Sequence, residues 1–62
     1  MKIDLFDCVE LIGGQTGTVV EIFDRGKAFM VEITDSEGKT IETPTISTED
    51  IVRVTYKAQK GE

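Results

Sequence analysis

The sequence contains few of the side chains that commonly perform catalysis. Cys8 is its only cysteine, and the chain has no histidine. A single cysteine excludes an internal disulfide, and without histidine a zinc site or an activated nucleophile loses its usual partner. A reactive thiol needs a cationic neighbour, whereas Cys8 is flanked by the acidic residues Asp7 and Glu10. The pattern predicts a free thiol that packs as a small apolar side chain.

The 12 aspartate and glutamate residues offer carboxylates that could act as general acid and base. Such a pair needs a desolvated cleft, and nothing in the spacing brings two of these carboxylates together in one. The stretch Asp35-Ser36-Glu37-Gly38 resembles half of a calcium loop but runs directly into a strand pattern, which favours a hairpin turn. A phosphate-cradling glycine motif is also missing. We therefore expect no catalytic, cofactor or metal site, and no enzyme.

The charges are unevenly distributed along the chain. Its net charge is −5, with 11 acidic and 4 basic residues in positions 1–50 but 1 acidic and 3 basic residues in positions 51–62. An acidic body repels phosphate backbones, because nucleic-acid affinity comes largely from Lys and Arg. No apolar run approaches the roughly 20 residues of a membrane span, and the Met1–Asp4 start lacks the apolar stretch of a signal peptide. These features predict a cytoplasmic protein that does not bind nucleic acid through its body.

The residue types indicate which elements would position a site. Val, Ile and Thr make up 21 of the 62 residues, and these β-branched side chains favour strands. Five short strands are predicted, over residues 5–12, 18–23, 28–34, 39–46 and 51–55, with a single 3₁₀ turn before the last strand. Short strands separated by turn signals suggest a small barrel or sandwich. We expect one domain over residues 1–56 and a disordered polar tail over residues 57–62.

The strand register can be tested on paper, because a slip of one residue moves every side chain to the opposite face. A four-residue loop at 24–27 sets Phe23 opposite Ala28 and Ile22 opposite Phe29. It also gathers one apolar core face, made of Val20, Ile22, Phe29, Val31 and Ile33.

The next hairpin has Ser36–Gly38 as its loop and sets Ile33 opposite Ile41 and Glu32 opposite Glu42. Pro44 has no backbone N–H to donate to a neighbouring strand, so we expect it at a sheet edge or at a bulge.

The first of these registers leaves an outward apolar face with a charged rim. Contiguous apolar residues rimmed by charge are typical of a protein contact. The alternative is that the N-terminal segment with Phe6, or the tail with Tyr56, covers this face. The predicted contact residues are Val19, Phe23 and Met30, with Glu21 and Glu32 at the rim.

Three stretches together carry a family resemblance: "GQTGTVVEI", "AFMVEITDSEGKTI" and "TISTEDIVRV". In order and spacing they resemble the DUF4926 family of small uncharacterised bacterial proteins, over roughly residues 5–54. The resemblance implies a five-stranded SH3-like β-barrel similar to the fold of KOW-type modules. It brings no established activity and no catalytic residues.

These observations favour a non-enzymatic protein-interaction module that binds a protein partner or a second copy of itself. One alternative is a KOW-like accessory that contacts RNA or the ribosome through Arg53, Tyr56 and Lys57. Another is an acidic antitoxin-type partner of a basic protein. Salt-sensitive affinity that depends on the residues after Val54 would distinguish the RNA hypothesis.

Overall fold

The computed structural model describes residues 2–58 and forms an all-β fold. The strands are β1 (Cys8–Leu11), β2 (Thr16–Phe23), β3 (Ala28–Thr34), β4 (Thr40–Glu42), β5 (Thr45–Ser47) and β6 (Ile51–Tyr56). They form an antiparallel sheet in the order β4-β3-β2-β1-β6, and β5 also pairs with β3. Short 3₁₀ turns occupy Asp24–Gly26 and Thr48–Asp50.

The all-β class and the 3₁₀ turn before the last strand are confirmed. The sheet differs in detail from a closed five-stranded barrel, because within residues 2–58 no pairing joins β6 to β4 or β5. Pro44 accounts for the sixth strand, since it has no N–H to give to a ladder and it separates β4 from β5. The Pro44 carbonyl still accepts a hydrogen bond from the Val31 N–H at 3.0 Å.

One apolar core lies on the inner side of the sheet. Its members come from the segment before β1 and from β1, β2, β3 and β6, so the sheet must curve for them to meet. Ile22, Ile46 and Val54 pack against this core while half-buried. The buried apolar residues are Ile3, Val9, Leu11, Val19, Phe29, Val31, Ile33 and Ile51.

The hairpin of β2 and β3 keeps the predicted register only near its loop. Phe23 lies opposite Ala28 and Ile22 lies opposite Phe29, as expected, but a bulge interrupts the ladder between Val19 and Glu21. The extra residue reverses which side chain faces inward, so Val19 takes the place opposite Val31 that we expected Val20 to take. Val19 is 0% exposed, and its predicted position on the outer face is wrong.

The hairpin of β3 and β4 contains a second irregularity. Its loop forms as predicted, with the Asp35 N–H bonded to the Lys39 carbonyl at 2.9 Å and Gly38 at a φ of 86°. Beyond it the register shifts, so that Ile33 lies opposite Glu42 and the side chain of Ile41 is exposed. The predicted pairs of Ile33 with Ile41 and of Glu32 with Glu42 are therefore wrong.

Gly17 lies inside β2, not in a turn, and it allows β2 and β3 to approach closely. A Cβ atom at Gly17 would lie 2.3 Å from Cγ1 of Val31 and 3.0 Å from the carbonyl oxygen of Glu32. Only a residue without a side chain fits this position.

Residues 2–58 include no helix that is long and apolar enough to cross a membrane.

Candidate protein-interaction surface

The structure disperses part of the contact face predicted from the sequence. Val19 is in the core, whereas Phe23 is 37% exposed and Met30 is half-buried. Glu21 lies directly opposite Met30 on the β2–β3 ladder, and Phe23 is a diagonal neighbour of Met30. Glu32 lies opposite Thr18, farther along the ladder. What is left of the predicted face is a small patch of Phe23 and Met30 beside Glu21.

A more exposed apolar feature precedes β1. We call residues Asp4–Asp7 the N-terminal turn, because the Asp7 N–H donates to the Asp4 carbonyl at 3.2 Å. Phe6 has a φ of 70°, in the left-handed region that non-glycine residues seldom occupy. Its side chain is 60% exposed, and that of Leu5 is 43% exposed. The turn therefore presents two large apolar side chains to solvent on a strained backbone.

The carboxylate of Asp7 holds this turn from inside. Asp7 is 0% exposed. Its Oδ2 accepts the Asp4 N–H at 2.8 Å, and its Oδ1 accepts the Ala58 N–H at 2.9 Å. The Lys57 ammonium group completes the set, with Nζ 2.6 Å from Oδ2 of Asp7. One buried carboxylate thus joins the N-terminal turn to the chain that follows β6.

These contacts change the pKa values of both charged partners. Burial by itself would raise the pKa of Asp7. Three favourable interactions outweigh burial and lower this pKa below its ordinary value of 3.8. They are the hydrogen bond from Lys57, the hydrogen bonds from the backbone N–H groups of Asp4 and Ala58, and the positive charge of Lys57. The hydrogen bonds to Asp7 and then to Asp4 raise the pKa of Lys57 above its ordinary value of 10.5. Each group stabilises the charged form of the other.

Further hydrogen bonds attach the turn to the sheet and to the first residues. The Phe6 N–H donates to the Val19 carbonyl at 2.7 Å, and the Val19 N–H donates to the Asp7 carbonyl at 2.9 Å. Lys57 Nζ also lies 3.0 Å from Oδ2 of Asp4 and donates to the Lys2 carbonyl at 3.2 Å. The turn is therefore fixed on both sides.

Leu5 and Phe6 line a groove that we call the N-terminal groove. Its volume is about 530 Å³. Asp4, Ile22 and Ala58 complete its lining. Apart from the Asp4 carboxylate, the lining side chains are apolar. The groove can accept an apolar side chain of a binding partner.

The sequence indicated only a covering role for Phe6 and did not predict this surface. The sequence pattern that could have predicted this surface is a pair of large apolar residues between Asp4 and Asp7, because aspartates at this spacing often hold a turn. Lys57 and Ala58, which were assigned to a disordered tail, are bonded to Asp7 instead. The other predicted tail residues, 59–62, lie outside the described residues.

The residues proposed for RNA contact lie within β6 and just after it. Nε of Arg53 is 2.7 Å from Oε1 of Glu10, and the Lys57 ammonium group is paired with Asp7 and Asp4. Tyr56 is exposed opposite Cys8. Both cations of this set are therefore already engaged by carboxylates of the same chain.

Cys8 is a half-buried free thiol whose Sγ lies 3.8 Å from Oγ1 of Thr18. Across residues 2–58, no group of three or more Cys, Asp or Glu side chains is arranged to hold a metal ion.

Comparison with known proteins identifies one family. The chain matches the family described as "Domain of unknown function (DUF4926)" over residues 4–53, from the N-terminal turn into β6. No curated protein and no solved structure matches the chain. Because the match covers most of the sequence, the chain belongs to the DUF4926 family.

Proposed function

We propose that this protein is a non-enzymatic protein-interaction module that binds a partner protein through the N-terminal groove. The observation that carries the proposal is the exposed, left-handed Phe6 on a turn that the buried Asp7 holds in place. An exposed aromatic ring contributes little to the core, whereas aromatic residues are enriched in the energetic centres of interfaces.

Backbone strain supports a role in binding. A non-glycine residue in the left-handed region costs about 1–2 kcal/mol, and such residues concentrate at functional sites where their surroundings enforce them. Here the surroundings are the hydrogen bonds of the Phe6 N–H and of the Asp7 carboxylate. A preformed turn also loses less conformational entropy when a partner binds.

Charge indicates the kind of partner. The chain carries a net charge of −5, so two copies repel each other and a less acidic or basic partner is favoured. Glu21 is exposed beside Phe23 and Met30 on the β2–β3 ladder and would attract basic residues of a partner there. Phe23, Met30 and Glu32 supply a second contact in this proposal. An acidic antitoxin-type role would be one form of such binding, whereas no contact in residues 2–58 favours the RNA alternative.

Co-purification from the native host with matched variants tests the proposal. Phe6→Asn removes the ring and supplies a residue that tolerates the left-handed backbone, and Val52→Asn removes an apolar side chain that is 52% exposed on β6. Once the partner is purified, Phe6→Asn should weaken its binding roughly 30-fold, as expected for loss of about 2 kcal/mol at an interface centre. Val52→Asn should bind as the wild type does.

Equal binding by Phe6→Asn and the wild type would contradict the proposed surface. Loss of binding by Phe23→Glu alone would instead place the contact on Phe23 and Met30. Light scattering over a dilution series tests whether the partner is a second copy of this chain. A dimer that dissociates in Phe6→Asn would mean that a second copy occupies the groove.

A further inference from the structure

A second concave site lies on the other side of Ile22. It is a cleft of about 430 Å³ with walls from the N-terminal segment, β2, β3 and both 3₁₀ turns. We call it the Lys2–Arg25 cleft after its two charged residues. The lining residues are Lys2, Ile3, Ile22, Arg25, Gly26, Phe29 and Thr48.

Both cations of this cleft lack a carboxylate partner within the described part of the chain. The ion pairs among residues 2–58 use Arg53 and Lys57 instead. Residues 1–50 contain only 4 basic side chains against 11 acidic ones, yet 2 of the 4 basic side chains line this one cleft. A cleft that holds two unpaired cations within an otherwise acidic protein is complementary to a bound anion.

The loop that carries Arg25 is held in an uncommon conformation. Asp24, Arg25 and Gly26 have φ values of 53°, 58° and 91°, all in the left-handed region. Thr48 fixes this loop, because its N–H donates to the Lys27 carbonyl at 3.3 Å and its hydroxyl lies 3.3 Å from the carbonyl oxygens of Gly26 and Lys27. The backbone position of Arg25 at the cleft is therefore defined by the fold.

The floor of the cleft is apolar. Ile3 and Phe29 belong to the buried core, and Ile22 packs against it. A ligand that fits must offer a charged group to the two cations and an apolar body to this floor. Arg favours planar carboxylates, which its guanidinium can bind through two parallel hydrogen bonds.

We propose that the Lys2–Arg25 cleft binds a small organic carboxylate with a short aliphatic chain. The carboxylate lies between Lys2 and Arg25, and the aliphatic chain contacts Ile3, Ile22 and Phe29. This proposal is independent of the protein-interaction role, because it rests on different charged residues and on a different cavity.

Titration of the isotope-labelled full chain with hexanoate, followed by amide chemical shifts, tests this proposal. Acetate supplies the charge without the chain, and 1-hexanol supplies the chain without the charge. We expect saturable shifts at the cleft residues with hexanoate, and weaker binding of both control compounds.

Two charge-removing variants identify the cations. Arg25→Asn removes the guanidinium and supplies a residue better suited to a φ of 58°, and Lys2→Gln removes the ammonium group. Each should weaken hexanoate binding about two- to fivefold, as expected for loss of one solvent-exposed ion pair. Lys39→Gln makes the same charge change on the β3–β4 hairpin and should leave the affinity unchanged.

If Arg25 served only the fold, Arg25→Asn would lower the stability of the protein. Unchanged or higher stability together with weaker hexanoate binding would therefore show that Arg25 contacts the ligand. Binding of 1-hexanol as tight as that of hexanoate would overturn the proposal, because the cations would then play no part. Shifts spread over the whole surface, or an equal loss of affinity in Lys39→Gln, would also overturn it by showing nonspecific ion binding.

Discussion

Oδ2 of Asp7 and Nζ of Lys57 lie 2.6 Å apart, although 50 positions separate the two residues in the sequence. The pair connects the N-terminal turn to the end of β6, and the same carboxylate accepts the N–H groups of Asp4 and Ala58. The exposed Leu5 and Phe6 thus depend on a buried residue for their position.

Asp7→Asn should lower the free energy of unfolding. The amide cannot replace both carboxylate oxygens, so at least one backbone N–H loses its buried acceptor, at a cost of about 1–3 kcal/mol. Urea denaturation measures the change. Asp35→Asn is the control for an exposed carboxylate, because Oδ1 of Asp35 alone accepts the N–H groups of Glu37 and Lys39 and an amide oxygen can replace it. Equal losses in both variants would contradict the role of burial.

The pH dependence follows from the directions of the two pKa shifts. The pKa of folded Asp7 is below its ordinary value of 3.8, so its contribution to stability is present above pH 3.8 and is lost as pH falls through the folded value. The pKa of folded Lys57 is above 10.5, so its contribution is present below pH 10.5 and is lost as pH rises through the folded value. Urea denaturation at several pH values should show the wild type and Asp7→Asn converging in acid. A constant difference down to pH 2 would contradict the assignment.

Gly17→Ala should destabilise the hairpin of β2 and β3. The added methyl group would lie 2.3 Å from Cγ1 of Val31, and overpacking of this kind costs about 1–3 kcal/mol. Thermal unfolding measures the loss, and the exposed Thr16→Ala should change stability by less than about 0.5 kcal/mol. In a double-mutant cycle, Val31→Ala should relieve part of the Gly17→Ala cost. Strict additivity would contradict the proposed clash.

Phe6→Asn should leave the fold intact and should not lower its stability. Asparagine tolerates a φ of 70° better than phenylalanine does, and little of the exposed ring is lost from the core. We expect the free energy of unfolding to stay constant or to rise by up to about 1 kcal/mol, as measured by urea denaturation. A clear loss of stability would mean that Phe6 serves the fold and would weaken the case for a binding role.

Arg53→Gln should have little effect on stability. Its ion pair with Glu10 is short, but the Arg53 side chain is 70% exposed, and surface pairs of this kind contribute about 0–1 kcal/mol. Chemical denaturation at low and high salt measures this contribution. A loss well above 1 kcal/mol that persists at high salt would show that the pair has a larger structural role.

The sequence predicted the class and most strands because β-branched residues, glycine turns and Pro44 act locally. The predicted position of Val20 opposite Val31 is wrong, because a bulge depends on how two strands fit together and has no fixed residue signature. That one extra residue moved Val19 into the core and removed it from the predicted site. The N-terminal turn was missed because its anchor, Lys57, lies at the far end of the sequence.

Photo-crosslinking in the native host tests whether the side chain at position 6 contacts a partner protein. Position 6 receives p-benzoylphenylalanine in place of Phe6, and position 52 receives it in place of Val52, which is similarly exposed on β6. We expect one discrete adduct with another protein from position 6 and none from position 52. No adduct from position 6, or the same adducts from both positions, would contradict it.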